Sequence, residues 1–182
     1  MRFAIRFGFI IVPEVMEAAR DKGVLESLAT KVSNERITKE LDLMFAGRDP
    51  HHAAQILYEL NIMQHSLKVP PVCEGIRAAN LRVELKNEEV RQQKAFASLK
   101  AIQAMHYLWE TLKKDPMALG MHITFEDKDK SKGKGKDNLY YLAMLLPYVG
   151  YKYMLKGKSV NVYEYVMSDG LKVSRTCLAS TR

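Results

Sequence analysis

The sequence predicts an all-α protein, an irregular array of helices, and three observations favour this fold class. Apolar residues recur at intervals of three and four along most of the 182-residue chain, as they do on the buried face of a helix. Hydrophobic residues make up 47% of the chain and charged residues 27%, a composition typical of folded proteins. The longest periodic segment, residues 87–114, is closed by Asp115-Pro116, a helix-ending pair.

The first part of the chain predicts a helix that begins near Pro13 and breaks around Thr30. Proline suits the first turn of a helix because its missing N–H has no intrahelical acceptor there. The face expected to be buried comprises Val15, Ala18, Ala19 and Leu25.

Ser33 is a plausible N-cap of the next helix, since its hydroxyl accepts a hydrogen bond from a free backbone N–H. The inward stripe of that helix is Ile37, Leu41 and Phe45, and Gly47 ends it. A further helix is predicted from around Pro50. Its buried residues are expected to be Ala53, Ile56, Leu57 and Leu60.

The second part of the chain predicts two longer helices separated by a charged loop. The helix over 87–114 is expected to bury Phe96, Leu99, Ile102, Met105, Trp109 and Leu112. Residues 126–137 are rich in lysine and aspartate and predict a flexible surface loop, because they offer no apolar area to bury. A last helix, kinked or split near its middle by Pro147, is expected to bury Leu139, Leu142, Leu146, Val149 and Tyr153.

Charge and cysteine content narrow the functional classes. The net charge of +7 and the pI near 9.3 favour a polyanionic partner, because clustered cations bind phosphates. Cys73 and Cys177 lie far apart without other thiols or histidines at metal spacing, so neither a disulfide framework nor a zinc site is indicated. The apolar run at 7–12 is far too short to span a bilayer, so no membrane partner is expected.

Two ordered segments near the beginning resemble a known family. Residues 2–9 read Arg-Phe-Ala-Ile-Arg-Phe-Gly-Phe, and residues 33–41 read Ser-Asn-Glu-Arg-Ile-Thr-Lys-Glu-Leu. This pair is similar to the neck, the helical connector, of tRNA nucleotidyltransferases, the class II CCA-adding enzymes of eukaryotic type. The helix over 49–63 continues the resemblance, and residues 163–174 are more weakly similar to the helical body of the same family.

The resemblance implies a domain division and an activity for the intact enzyme. Residues 1–69 are expected to form a neck-like helical domain and residues 70–182 a helical body that carries the loop at 126–137. Enzymes of this family add CMP and AMP from CTP and ATP to the 3′ end of tRNA. Their catalytic carboxylates, which hold Mg²⁺, precede the segment matched here. We therefore expect neck and body without a catalytic β-sheet head, inactive alone, with no catalytic residue and no cofactor of its own.

Five residues of the neck-like segment are candidate supports of the nucleotide pocket by resemblance: Arg2, Arg6, Glu35, Arg36 and Glu40. Arg36 and Glu40 stand four apart on one helical face, so they are expected to form an ion pair across one turn. The two N-terminal arginines match those of the family's Arg-Phe-Ala-x-Arg stretch. Their guanidinium groups suit either a triphosphate or an acidic neighbour, and the sequence leaves both open.

The lysines of the charged loop are candidate RNA contacts, namely Lys132, Lys134 and Lys136, through attraction to the phosphate backbone. No metal site is predicted. The spacing of Asp127 and Asp129 resembles a magnesium-binding pair, but they lie among lysines rather than on a rigid strand. The adjacent His51 and His52 point about 100° apart on a helix and read as a solvated pair, while His106 reads as a core histidine.

Aromatic residues of the second part of the chain fit two interpretations. Trp109, Tyr140, Tyr141, Tyr148, Tyr151 and Tyr153 either stack on unpaired bases or, more often for helical aromatics, belong to the core. For the whole chain we expect tRNA as partner, with CTP and ATP bound only together with a catalytic domain. The alternative is a helical adaptor that docks on another protein and has no role with RNA.

Overall fold

The computed structural model describes residues 1–70, 72–75, 82–84, 87–115 and 134–171. Within these ranges the chain is mainly helical, which confirms the predicted fold class. The helices are α1 Arg2–Phe7, α2 Pro13–Ala19, α3 Lys22–Lys31, α4 Asn34–Phe45, α5 Pro50–Glu59, α6 Ile62–Ser66, α7 Glu88–Lys114, α8 Lys134–Leu145 and α9 Val162–Tyr165. A 3₁₀ turn spans Leu146–Tyr148 and a π-helical turn spans Val166–Gly170.

The described residues also contain a small antiparallel sheet that the periodicity did not predict. Its strands are β1 Val72–Gly75, β2 Arg82–Glu84, β3 Tyr151–Leu155 and β4 Lys158–Asn161, in the order β2-β1-β3-β4. The pairing of Glu74 with Lys152 joins the segment after α6 to the hairpin after α8. This sheet therefore connects the two parts of the chain.

The predicted helix across Pro147 was wrong beyond Leu145. The chain forms the 3₁₀ turn, reverses at Gly150 with a φ of 89°, and enters the β3–β4 hairpin. Lys156 and Gly157 both have positive φ, as a two-residue type I′ hairpin turn requires. Leu146 and Val149, expected to be buried, are 59% and 57% exposed. Pro147 and Gly150, three residues apart, thus overrode the helical spacing.

The N-terminal half follows its sequence signals closely. The Ser33 hydroxyl accepts a hydrogen bond from the backbone N–H of Arg36 at 3.4 Å, which confirms the predicted N-cap of α4. The stripe Ile37, Leu41 and Phe45 is buried, and so are the four apolar residues predicted for α5. One difference is that the helix expected from Pro13 to Thr30 is two helices, because Asp21 caps α3 by accepting from the N–H of Val24. Two of its predicted inward residues, Val15 and Ala18, are exposed, Val15 to 55%, whereas Leu25 is buried.

The long helix α7 begins one residue after Asn87, whose side chain accepts from the N–H groups of Glu89 and Val90. Leu99 and Ile102 are buried as predicted, whereas Phe96 is 47% exposed. The buried face instead includes Ala95 and Ser98, residues that allow close packing of α8. Met105, Trp109 and Leu112 are half-buried.

One continuous apolar core runs from α4 and α5 through α7 to α8 and the C-terminal turns. Phe45, on α4, lies at its centre with no exposed surface. Its ring stacks on that of Tyr140 and meets the ring of Tyr141 edge-on, each at a centroid distance of 5.5 Å. Helix α4 therefore holds the N-terminal helices against α8.

Candidate nucleic-acid interface

Helix α4 presents two different faces, and the first carries charged residues toward α1. Nη1 of Arg2 donates a hydrogen bond to Oε1 of Glu40 at 3.2 Å. The predicted ion pair between Arg36 and Glu40 is replaced by this bond between helices, because α1 brings its first arginine over the carboxylate. Such a partly exposed pair contributes about 0.2–1 kcal/mol to stability.

Beneath this ion pair lies a half-open cavity of about 690 Å³, a volume within the range of ligand pockets. Its wall is mainly aliphatic, with side chains from α3 to α6 that include Leu25, Leu28, Ile37, Leu41, Met44, Leu57 and Ile62. Its charged lining residues are Arg2, Arg36, Lys39 and Glu40. The cavity thus combines an apolar interior with a charged rim carrying three cations and one carboxylate.

Three of the five candidate pocket-supporting residues, Arg2, Arg36 and Glu40, line this one cavity. Arg6 and Glu35 are exposed and do not line it. Sequence reasoning missed Lys39, which joins the rim because it follows Arg36 by three positions on the same helical face. This spacing could have predicted from the sequence that Lys39 lies beside Arg36.

The second face of α4 contacts the helical body. The hydroxyl of Tyr141 donates to Oδ1 of Asp42 at 2.7 Å, and the hydroxyl of Thr38 donates to the carbonyl of Leu171. The side-chain amide of Asn34 donates to the carbonyl of Asp169 at 3.0 Å. The cavity rim and the C-terminal turns are therefore held by opposite faces of one helix.

The candidate RNA-binding lysines lie at the edge of the described structure. Lys132, with the two aspartates at 127 and 129, is outside the described residues. Lys134 and Lys136 belong to the backbone of α8, whose first four residues, 134–137, overlap the predicted end of the charged loop. The assignment of these lysines to RNA stays a prediction.

Three of the six aromatic residues considered for base stacking belong to the core. Tyr140, Tyr141 and Tyr148 are at most 4% exposed. Burial raises the pKa of Tyr148 to about 12, an effect that nearby Arg91 partly opposes. Nδ1 of His106 lies 2.9 Å from the hydroxyl of Tyr140, in line with its predicted core role. His51, predicted to be solvated, is half-buried, and its ring stacks on His106 at 5.6 Å.

Aromatic residues that are open to solvent lie instead at α1. Phe3, Phe7 and Phe9 are 56%, 56% and 63% exposed. The guanidinium carbon of Arg2 lies 4.8 Å from the centroid of the Phe3 ring, and that of Arg6 lies 5.3 Å from that of Phe7. The sequence analysis considered the two arginines but did not predict that the rings are exposed. The pattern that could have indicated this is the repeat of Arg-Phe at 2–3 and 6–7, which places both pairs on one helical face.

Among the described residues, no helix is long and apolar enough to cross a membrane. Within the same ranges, no group of three or more His, Cys, Asp or Glu side chains is placed to hold a metal ion.

The N-terminal part of the chain matches the model of a known protein family. Residues 8–72 match a family model described as "Probable RNA and SrmB- binding site of polymerase A". This matched segment contains α2 to α6 and the cavity lining other than Met1 and Arg2. The N-terminal helices are therefore similar to a region described as a probable RNA-binding site of a polymerase.

The more particular relationship is to a tRNA nucleotidyltransferase. The chain is 27% identical over 176 residues to tRNA nucleotidyltransferase cca2 of Schizosaccharomyces pombe, an alignment that covers 97% of this chain and 30% of that protein. No solved structure matches. This similarity supports the resemblance seen in the sequence, and the chain spans about a third of the length of this relative.

Proposed function

We propose that this chain is the helical scaffold of a CCA-adding tRNA nucleotidyltransferase, a region that binds tRNA and supports the nucleotide pocket without catalysing the reaction itself. The observation that carries the proposal is the cationic rim formed by Arg2, Arg36 and Lys39. Two of these cations stand on α4, inside the segment matched to the RNA-binding family model.

Charge supports RNA as the partner. The chain carries a net charge of +7, and cations that neutralise phosphates release counterions from RNA. A-form RNA is recognised chiefly through its backbone and shape, so a rigid helical surface with a few well-placed cations suits it. Double attachment of α4 to α1 and to α8 provides that rigidity.

The supporting role follows from the position of Arg2 and Glu40. Their hydrogen bond joins α1 to α4 and leaves Arg36 and Lys39 as rim cations without an acidic partner among the described residues. Such cations would orient the phosphates of CTP or ATP, or those of the tRNA end, next to a catalytic domain. From the resemblance to the family, we assign Mg²⁺ to the carboxylates of that catalytic domain.

The proposal is tested by titrating tRNA that lacks its 3′-terminal CCA into the full chain and following fluorescence anisotropy at several salt concentrations. Replacing Arg36 and Lys39 by glutamine is expected to weaken binding and to lower the slope of log Kd against log salt by about one for each cation. The matched control replaces Lys113 and Lys114, two exposed cations at the end of α7, and should keep the wild-type slope.

Nucleotide transfer is tested separately. The chain alone should incorporate no CMP or AMP into this tRNA, whereas adding a tRNA nucleotidyltransferase catalytic domain should permit incorporation. Incorporation by the chain alone would refute the scaffold role. Failure of the wild-type chain to bind tRNA at any salt concentration would refute the RNA role.

A helical adaptor remains the second candidate because the exposed phenylalanines of α1 and the word SrmB in the family description are also compatible with a protein partner. An adaptor is expected to bind its protein partner with an affinity that does not depend on salt concentration. It is expected to have no affinity for tRNA.

A further inference from the structure

The first helix exposes an unusual amount of aromatic surface. Phe3 and Phe7 stand four residues apart, which places both rings on one face of α1. Phe9 follows after the helix, and all three are more than half exposed. Apolar rings gain free energy when they are removed from water, so three adjacent exposed rings indicate a surface that a ligand covers.

The turn after α1 aligns the third ring with the first two. Gly8 has a φ of 71°, and the N–H of Phe9 donates to the carbonyl of Ala4 at 2.9 Å. This glycine-containing cap folds the chain back, so that the Phe9 ring lies 5.6 Å from that of Phe7. The rings of Phe3 and Phe7 are parallel within 2° at a centroid distance of 6.2 Å. The three rings form a continuous row, which we call the phenylalanine row.

Cations accompany this row on the neighbouring face of α1. Arg2 is held by Glu40, but Arg6 has no acidic partner among the described residues. Its guanidinium lies over Phe7 and is exposed. A docking protein with an apolar surface would have to desolvate this charge without compensation, which is costly.

A ligand with flat aromatic groups and negative charge satisfies both features at once. Unpaired nucleotides carry π-faces that stack on aromatic side chains whatever the base, and phosphates that pair with arginine. The row and Arg6 thus fit single-stranded RNA better than a wholly apolar partner.

We infer that Phe3, Phe7 and Phe9, with Arg6, form a stacking site for unpaired nucleotides of RNA. This inference rests on the proposed RNA-binding function and specifies which surface holds the unpaired segment. The site is distinct from the cavity rim, since none of these four residues lines the cavity.

The test uses the full chain and a 5′-labelled single-stranded RNA of twelve mixed nucleotides, with the tRNA lacking CCA as a second probe. Phe7→Leu keeps apolar bulk but removes the π-face, and is expected to weaken binding of the oligonucleotide by about tenfold or more. Phe7→Tyr keeps the ring and should bind within about twofold of the wild type. Arg6→Gln should weaken binding and lower its salt dependence by about one phosphate contact.

The matched control is Phe96→Leu on α7, where a comparably exposed phenylalanine lies 5.3 Å beneath the Lys100 ammonium. It should leave binding unchanged, which excludes a general effect of losing any exposed ring. Circular dichroism melts of each variant establish that the fold persists.

The outcomes separate the inference from the proposed function. Wild-type binding of the oligonucleotide by Phe7→Leu, with tRNA binding intact, would overturn the stacking site and leave the scaffold function standing. Failure of the wild type to bind either RNA would overturn both. Self-association that Phe7→Leu weakens, while neither RNA binds, would identify the phenylalanine row as a protein-docking surface and also overturn the inference.

Discussion

The hydroxyl of Tyr141 donates a hydrogen bond to Oδ1 of Asp42 at 2.7 Å, and through it α8 is bound to α4, ninety-nine positions earlier in the chain. The same hydroxyl lies 3.3 Å from the carbonyl of Thr38. One buried phenol therefore holds the face of α4 opposite to the charged cavity rim.

Removing this hydroxyl should destabilise the protein. Tyr141→Phe keeps the ring against Phe45 but loses a hydrogen bond to a carboxylate, so the free energy of unfolding is expected to fall by about 1.5–3 kcal/mol. Urea denaturation monitored by circular dichroism measures this change in the free energy of unfolding. Tyr163→Phe is the control, since its hydroxyl donates to the neighbouring Glu164 at the surface and joins no distant helix. A loss for Tyr141→Phe no larger than that of the control would contradict the proposed link.

Phe45 should be among the most sensitive core residues. It is fully buried between two tyrosine rings, and Phe45→Ala would leave a cavity that α4, α5 and α8 cannot close together. We expect a loss of about 3–5 kcal/mol in the free energy of unfolding. Leu43→Ala, at a 44% exposed position on the same helix, is expected to cost less than about 1 kcal/mol. Similar losses for both variants would show that α4 does not pack as described.

Tyr148 should make the protein sensitive to alkaline pH. Burial raises the pKa of its phenol from 10.0 to about 12 in the folded state, so above pH 10 the unfolded chain releases this proton first. Stability contributed by the neutral phenol is complete below pH 10 and is lost as pH rises toward 12. At pH 11 the loss is about 1–1.5 kcal/mol.

The measurement compares urea unfolding at pH 9 and pH 11 for the wild type and Tyr148→Phe. The variant should lose less stability over this interval than the wild type does. Tyr107→Phe, at a 71% exposed position, should keep the wild-type loss. An equal loss in Tyr148→Phe and the wild type would refute this assignment.

The bond between Arg2 and Glu40 should appear as a small coupling energy. A double-mutant cycle with Arg2→Gln and Glu40→Gln is expected to give about 0.2–1 kcal/mol at low salt, because the side chains are 29% and 52% exposed. The coupling should diminish in 1 M NaCl, where the Debye length is about 3 Å. A cycle with Arg36 in place of Arg2 tests the pair predicted from spacing, and a larger coupling there would reverse our assignment.

Local signals predicted the N-terminal half of the fold well. Helix α4 has a capping serine, a clean apolar stripe and glycine after its end, and each of these acts within a few residues. The same holds for Asn87 at the start of α7. Where a local signal was absent, prediction failed: the stripe through Leu146 and Val149 is helical in period, yet those residues face solvent.

The sequence by itself determined the helical class, the cap and core stripe of α4, and the resemblance to the neck of tRNA nucleotidyltransferases, because these depend on short-range spacing and residue chemistry. Only the tertiary structure decided that Glu40 bonds Arg2 rather than Arg36, that Lys39 joins the cavity rim, and that Phe3, Phe7 and Phe9 face solvent. Those outcomes depend on which helices pack together, since a salt bridge and an exposed surface are relations between elements distant in the chain.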